Sequence, residues 1–157
     1  MSAVEDRLAA LGLEVPEVVP PVAAYVPAVR QGGWVYVSGQ LPMRAGRMPA
    51  TGKVGEGEGL VDPATAKDLA QACALNVIAA AKSVLGDLDR VERVVKVVGF
   101  VAADPAFTAV PAVVNGASEL FLAAFGDAGR HARSAVGVAS LPLDSPVEVE
   151  AVFAVRD

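Results

Sequence analysis

The chain has 157 residues, one cysteine, one histidine and a formal net charge of −5, with 54% hydrophobic and 20% charged residues. One cysteine excludes an internal disulfide, and one cysteine with one histidine leaves no Cys/His zinc site. The acidic balance, with no cluster of Lys and Arg to set against phosphates, argues against a nucleic-acid partner.

In chain order, Ser2-Ala3-Val4-Glu5 has the form of a capping box, and Val4, Leu8 and Leu11 line one face of a short helix ending near Gly12. Pro16, Pro20 and Pro21 then stop regular structure, so residues 1–21 read as a helix and a proline-rich lead-in to one unit over 22–157. Strands are expected from Tyr25 to Val29 and from Trp34 to Ser38, joined through Gly32-Gly33 as a hairpin. Residues 43–62 form a long glycine-bearing surface connection. Within it, Gly52-Lys53 and Gly55, Gly57 and Gly59 superficially resemble a phosphate loop, but the lysine precedes the glycines and Glu56 and Glu58 would repel phosphate.

Asp62-Pro63 supplies a cap and a first-turn proline for a helix carrying Ala66, Leu69, Ala70, Cys73, Val77, Ala80 and Val84, ended by Gly86. Cys73 lies on that apolar stripe and reads as core. Val91 to Val101 is an almost unbroken β-branched run suited to a central strand. Asp104-Pro105 opens a second helix with Val110, Val113, Val114, Ala117, Leu120, Phe121 and Ala124 as its stripe, ended by Gly126. Ser134 to Leu141 and Val147 to Val155 are strands, and the loop from Pro142 to Pro146 suggests that they pair as an antiparallel hairpin. The order β-β-α-β-α-β-β, with both helices on one sheet face, is an α+β sandwich. The low charged fraction points to buried flat faces between subunits. With no apolar leader or membrane-spanning segment in view, a cytoplasmic location is the default expectation.

The ordered pieces Tyr25, Trp34 through Ser38-Gly39-Gln40-Leu41-Pro42, Val95 to Val101, Val114-Asn115, Ala132-Arg133-Ser134 with Leu141-Pro142, and Val147-Glu148-Val149-Glu150 resemble the YjgF/YER057c/UK114 family. This is also called the Rid family of enamine/imine deaminases, and it is known too as endoribonuclease L-PSP. The resemblance covers roughly residues 22–155. It implies a chorismate-mutase-like, mixed-sheet fold assembled as a homotrimer, with sites in clefts between subunits and no metal or organic cofactor. It also implies cofactor-free hydrolysis of 2-imino or 2-enamino acids to 2-keto acids and ammonium.

The resemblance assigns residues one by one. Arg133, whose planar fork matches a carboxylate, would anchor the substrate; otherwise it is a strand-end arginine in an ion pair. Glu148 would activate water if partly desolvated; otherwise it is a solvated strand-face residue like Glu150. Tyr25 and Ser38 would act beside Glu148 through their hydroxyls, while Asn115 and the Gly39 backbone amide would help bind the substrate. The hairpin register would put Arg133 seven residues beyond the partner of Glu148, roughly 23 Å at about 3.3 Å per residue, so a site using both needs two subunits.

The chain also departs from the family. Ala135 stands where relatives often carry a cysteine, Ser118 stands where an aromatic is common, and the segment between Asn115 and Arg133 is one residue longer. His131 beside Arg130 reads as a solvated loop residue. With no Gly-x-Ser-x-Gly elbow, Ser38 is not a hydrolase nucleophile. Two alternatives remain: a non-catalytic small-carboxylate binding or interaction protein on the same scaffold, and an endoribonuclease or translation inhibitor. The acidic charge and the lack of a histidine pair disfavour the second.

Overall fold

The computed structural model describes residues 1–21 and 23–157; the start of the main unit expected at residue 22 therefore lies outside the described residues. Helix α1 (Ala3–Ala10) begins with the capping box, in which Ser2 and Glu5 satisfy each other's backbone amides. Its Val4 and Leu8 are buried in the core. Strands β1 (Ala28–Gln31) and β2 (Trp34–Gln40) form the expected hairpin about Gly32-Gly33. β1 starts later than the sequence suggested because Pro27 has no amide to give to a ladder, which leaves Tyr25 in the preceding bend.

Helix α2 (Pro63–Leu85) is capped by Asp62, whose carboxylate accepts from the amides of Ala64 and Thr65. By composition it is long and apolar enough to cross a membrane, yet 67% of its apolar window is buried inside the molecule, Cys73 included. Strand β3 (Val91–Ala102) follows, then α3 (Val110–Phe125), β4 (Ala132–Val138) and β5 (Val147–Val155). α3 does not open at Asp104-Pro105: Asp104 instead closes a local turn by accepting from the amides of Ala106 and Phe107, and the helix starts at Val110 with Pro111 in its first turn.

The sheet order is β1-β2-β5-β3-β4. The expected β4–β5 hairpin is not formed. β4 pairs parallel with β3, and β5 inserts between β2 and β3, antiparallel to both. The physical reason is the crossover: β3, α3 and β4 form a βαβ unit, and a connection containing a whole helix delivers a parallel neighbour. The way is then open for β5 to pair along both β2 and β3, and Val147, Val149, Ala151 and Phe153 are all buried against the helices.

Both α2 and α3 pack on one sheet face over Val35, Val37, Val97 and Phe153. The other face carries Trp34, Tyr36, Val29 and Val136, each between 44% and 54% exposed. The connection 43–62 is only partly a surface excursion. Val54 is fully buried and is stitched to the end of β3 through Ala102 and Asp104, while Glu56 to Gly59 form the exposed tip.

Candidate functional site

The residues singled out from the sequence fall into two groups. The first lies between β4 and α3. Parallel pairing sets Arg133 beside Val97, whose side chain is buried under the helices, so Arg133 points to the helix side of the sheet. There its Nη1 donates to Asn115 Oδ1 at 2.7 Å and to Ser118 Oγ at 3.2 Å, and its Nη2 donates to the Pro111 carbonyl at 3.3 Å. Asn115 and Ser118 are three residues apart on α3 and thus share a face.

Behind them sits His131, two residues before Arg133 and just ahead of β4. Its Nδ1 lies 2.6 Å from the Gly129 carbonyl, and its Nε2 lies 2.8 Å from Ser118 Oγ. A carbonyl can only accept, so in the neutral ring Nδ1 carries the proton and Nε2 accepts the Ser118 hydroxyl. The Ser118 oxygen is then free to accept from Arg133. The imidazole also stands edge-on to Phe121, with ring centroids 5.9 Å apart, so His131 is the loop residue expected, just before β4, but a packed and hydrogen-bonded one and not a solvated one.

Sequence reasoning passed over Ser118 and His131 as members of this group. The i, i+3 spacing from Asn115 and the i, i+2 spacing to Arg133 were the available signals. The ion-pair alternative for Arg133 does not hold: among the described residues all its partners are neutral oxygens. A half-buried guanidinium is thus held in place by acceptors that leave its charge uncompensated.

The second group lies around the start of β5 and the end of β2. Glu148 is on the sheet face away from the helices, opposite Phe100 of β3. The pairing of β2 with β5 is irregular between Val37 and Gln40, and this irregularity turns Gly39 toward the carboxylate. A β-carbon built on Gly39 would lie 2.8 Å from Glu148 Cδ and closer still to Oε1, so the carboxylate occupies a notch that only glycine provides. Burial, and then the neighbouring charge of Glu150, push the Glu148 carboxyl above the ordinary carboxylate value of 4.5.

Tyr25 is 46% exposed and shares with Gly39 the lining of a small cavity beside the notch. Ser38 Oγ donates to the Val26 carbonyl at 2.7 Å, which leaves only its lone pairs for another partner. Among the described residues, no group of three or more His, Cys, Asp or Glu side chains is arranged to hold a metal ion.

The two groups do not meet within one chain. The register places Arg133 level with Val97 and Ala151, two strands and three residues from Glu148, roughly 14 Å within the sheet at about 4.8 Å between strands and 3.3 Å per residue. They also project from opposite faces. The distance expected from the hairpin register is corrected by this, because the strands it paired are separated by β3.

A five-stranded mixed sheet with two long helices on one face, an internal βαβ unit and a central antiparallel strand defines an α+β protein of the chorismate-mutase-like class. The family described as "YjgF/chorismate mutase-like, putative endoribonuclease" matches residues 5–155, and the chain belongs to it. The match takes in α1 and the lead-in, which the motif resemblance did not reach. Protein TCP17 of Trypanosoma cruzi is 45% identical over 150 residues, covering 95% of this chain and 92% of that protein. Among solved structures, Atu1372 of Agrobacterium tumefaciens, a protein of unknown function, is 44% identical with a TM-score of 0.90, covering 98% of this chain and 93% of that one. TdcF of E. coli, solved with bound serine, is 26% identical with a TM-score of 0.65, covering 90% of this chain and 94% of that one.

Proposed function

We propose that this protein hydrolyses 2-imino and 2-enamino acids to 2-keto acids and ammonium, without a cofactor, in clefts where Arg133 of one subunit meets Glu148 of another in a homotrimer. The observation that carries this reading is the Arg133 guanidinium, oriented by Asn115, Ser118 and Pro111 and left without a carboxylate. A planar cation held by neutral acceptors binds an anion of matching shape, such as a substrate carboxylate. The exposed apolar sheet face supports association, and the serine in TdcF is a small amino acid of comparable size.

The chemistry asks little of the protein. Once an enamine has tautomerised and its nitrogen is protonated, the carbon is electrophilic, so orientation of substrate and water supplies most of the acceleration. Glu148 takes a proton from water as the oxygen adds to the C=N carbon. The resulting carbinolamine collapses: Glu148 returns its proton to the nitrogen, the C–N bond breaks as the hydroxyl oxygen forms C=O, and the hydroxyl proton passes to the departing ammonia, leaving the keto acid and ammonium. A carboxylate with a raised pKa suits both halves of that transfer. Tyr25 contributes a hydroxyl at the rim, and the Ser38 lone pairs accept from the leaving nitrogen.

Imino acids generated in place by an amino-acid oxidase test this reading, with keto-acid release followed for wild type, Arg133→Ala and Glu148→Ala. Acceleration by wild type, lost in both variants at matched oligomer content, is the expected result. If keto acids bind in an Arg133-dependent way with no turnover of any imine, the protein is a carboxylate-binding module and the hydrolysis reading fails.

A further inference from the structure

The hydrogen bonds around Ser118 run in one direction. The Gly129 carbonyl takes the Nδ1 proton of His131 at 2.6 Å, the bare Nε2 takes the Ser118 hydroxyl at 2.8 Å, and Arg133 Nη1 donates to the Ser118 oxygen at 3.2 Å. Gly129 makes its close approach possible: a β-carbon there would lie 2.8 Å from the carbonyl carbon of Phe121. The Phe121 ring, edge-on to the imidazole, steadies it from the side. A hydroxyl within hydrogen-bond reach of a base, with the base held in one tautomer by a third group, is the arrangement that activates serine as a nucleophile. Here a backbone carbonyl does the orienting that a carboxylate does elsewhere. Ser118 and His131 are only half-buried, so the pair is open to a small molecule.

The same neighbourhood supplies positive charge for a tetrahedral intermediate. Asn115 and Ser118 take both Nη1 hydrogens of Arg133, and Pro111 takes one on Nη2, so among the described residues two of the five N–H groups stay free for an anion. An oxyanion formed on a carbon bonded to the Ser118 oxygen would lie beside that fixed cation. Ser118 stands where an aromatic is common in the family, so the pair is a property of this chain and not of the shared scaffold. We infer that Ser118 is a nucleophile for acyl transfer from small esters, with His131 as its base, an activity separate from imine hydrolysis and without a part for Glu148. The Ser118 oxygen adds to the ester carbonyl carbon as its proton passes to His131 Nε2. The intermediate collapses, the alcohol leaves with that proton, and an acyl ester of Ser118 remains. Water then adds to this ester while His131 takes a proton from it, and Ser118 regains that proton as the carboxylic acid departs.

The test uses the whole protein with p-nitrophenyl acetate and a fluorophosphonate probe, comparing wild type, Ser118→Ala and His131→Gln, with thermal melts to show that each is folded. Wild type should release a burst of nitrophenolate and carry the phosphonyl adduct on Ser118, located by peptide mass spectrometry. Ser118→Ala should lose both. The glutamine oxygen of His131→Gln can accept the hydroxyl but cannot take its proton, so labelling should slow about 100-fold or more. No adduct on Ser118, or labelling of His131→Gln at the wild-type rate, overturns the inference and leaves the pair as a brace for Arg133. Should a variant fail to fold, the position of the adduct in wild type decides alone. Imine turnover without an adduct overturns this inference and leaves the proposed function standing; an adduct without imine turnover does the reverse.

Discussion

Two glycine-to-alanine substitutions separate the candidate site from the core by their opposite readouts. At Gly39 the added carbon meets the end of a flexible side chain, Glu148, at 2.8 Å from Cδ, and the backbone there is not left-handed. Relief requires the carboxylate to move by about 1 Å, into an off-rotamer geometry costing about 0.5–1.5 kcal/mol. Loss of glycine's entropy in the unfolded chain offsets most of that, so stability should change by less than about 1 kcal/mol. A 1 Å misplacement of a reacting group costs about 100-fold, and that is the expected fall in kcat/KM for imine hydrolysis.

At Gly116 the added carbon would lie 2.9 Å from the carbonyl carbon of Lys67 and closer still to its oxygen, where α3 crosses α2. Backbone cannot rotate aside, so the helices must part. Overpacking of about 3 kcal/mol, less about 1 kcal/mol gained in helix propensity, leaves a loss of about 2 kcal/mol, or roughly 4–8 °C in a chain of this size. Thermal melts and kcat/KM per folded molecule measure both variants. If Gly39→Ala melts as low as Gly116→Ala, or if it keeps full kcat/KM while Arg133→Ala loses it, the reading of the notch as Glu148's catalytic seat is wrong.

Ser118→Ala removes one acceptor from Arg133 and the donor to His131 Nε2, so KM should rise several-fold with kcat little changed, and stability should fall by about 1 kcal/mol; equal losses in kcat and kcat/KM would mean that Ser118 touches the reacting atoms. Because the Glu148 carboxyl is held above 4.5, the acid limb of kcat/KM should lie at a higher pH than an ordinary carboxylate gives, and a limb at or below 4.5 would exclude Glu148 as the base. The same shift makes ionised Glu148 a cost to the fold, one that appears as pH rises past 4.5 and is complete above the raised value, so Glu148→Gln should melt no lower than wild type at neutral pH. Glu5 shows the opposite sign. Hydrogen bonds from Lys82 and Ser2 lower its carboxyl to about 2, so the stability difference between wild type and Glu5→Gln should be full above pH 4.5 and vanish as pH falls through about 2; a difference that persists at pH 2 would show that the variant acts through something other than this ionisation.

The helices, β2 and β3 were legible because each carries its own local signal. Asp62-Pro63 with a 3.6-residue stripe, and an unbroken β-branched run, need no tertiary information. The pairing of the last two strands differs from the sequence expectation because connection type, and not proximity in sequence, decides which strands become neighbours. A loop with two prolines suggests a hairpin, while the helix between β3 and β4 supplies the crossover that parallel neighbours need. Once β4 lies beside β3, β5 is left to pair with β2 and the other edge of β3. Nothing local to residues 147–155 distinguishes that arrangement from a hairpin.

For the site, the same error had an instructive result. The mistaken register and the observed one both keep Arg133 and Glu148 apart, but for different reasons: the first by distance along a ribbon, the second because the residues project from opposite faces of the sheet. Opposite faces are the stronger constraint, since no sliding of strands within the sheet could bring the two groups to one small ligand. Each half of the site is therefore assembled by its own chain, Arg133 by the α3 acceptors and Glu148 by the Gly39 notch. If one substrate is to meet both, association must bring the helix-side edge of one subunit to the open face of another. Mixed oligomers supply the test: Arg133→Ala and Glu148→Ala subunits, each inactive alone, should regain part of the wild-type rate when unfolded together and refolded. In the homotrimer proposed above, a trimer drawn at random from an equal mixture would have three clefts, and one quarter of all clefts would pair an intact Arg133 with an intact Glu148. Recovery near a quarter of wild-type activity is the expected value, and none at all would place both residues' roles within a single chain.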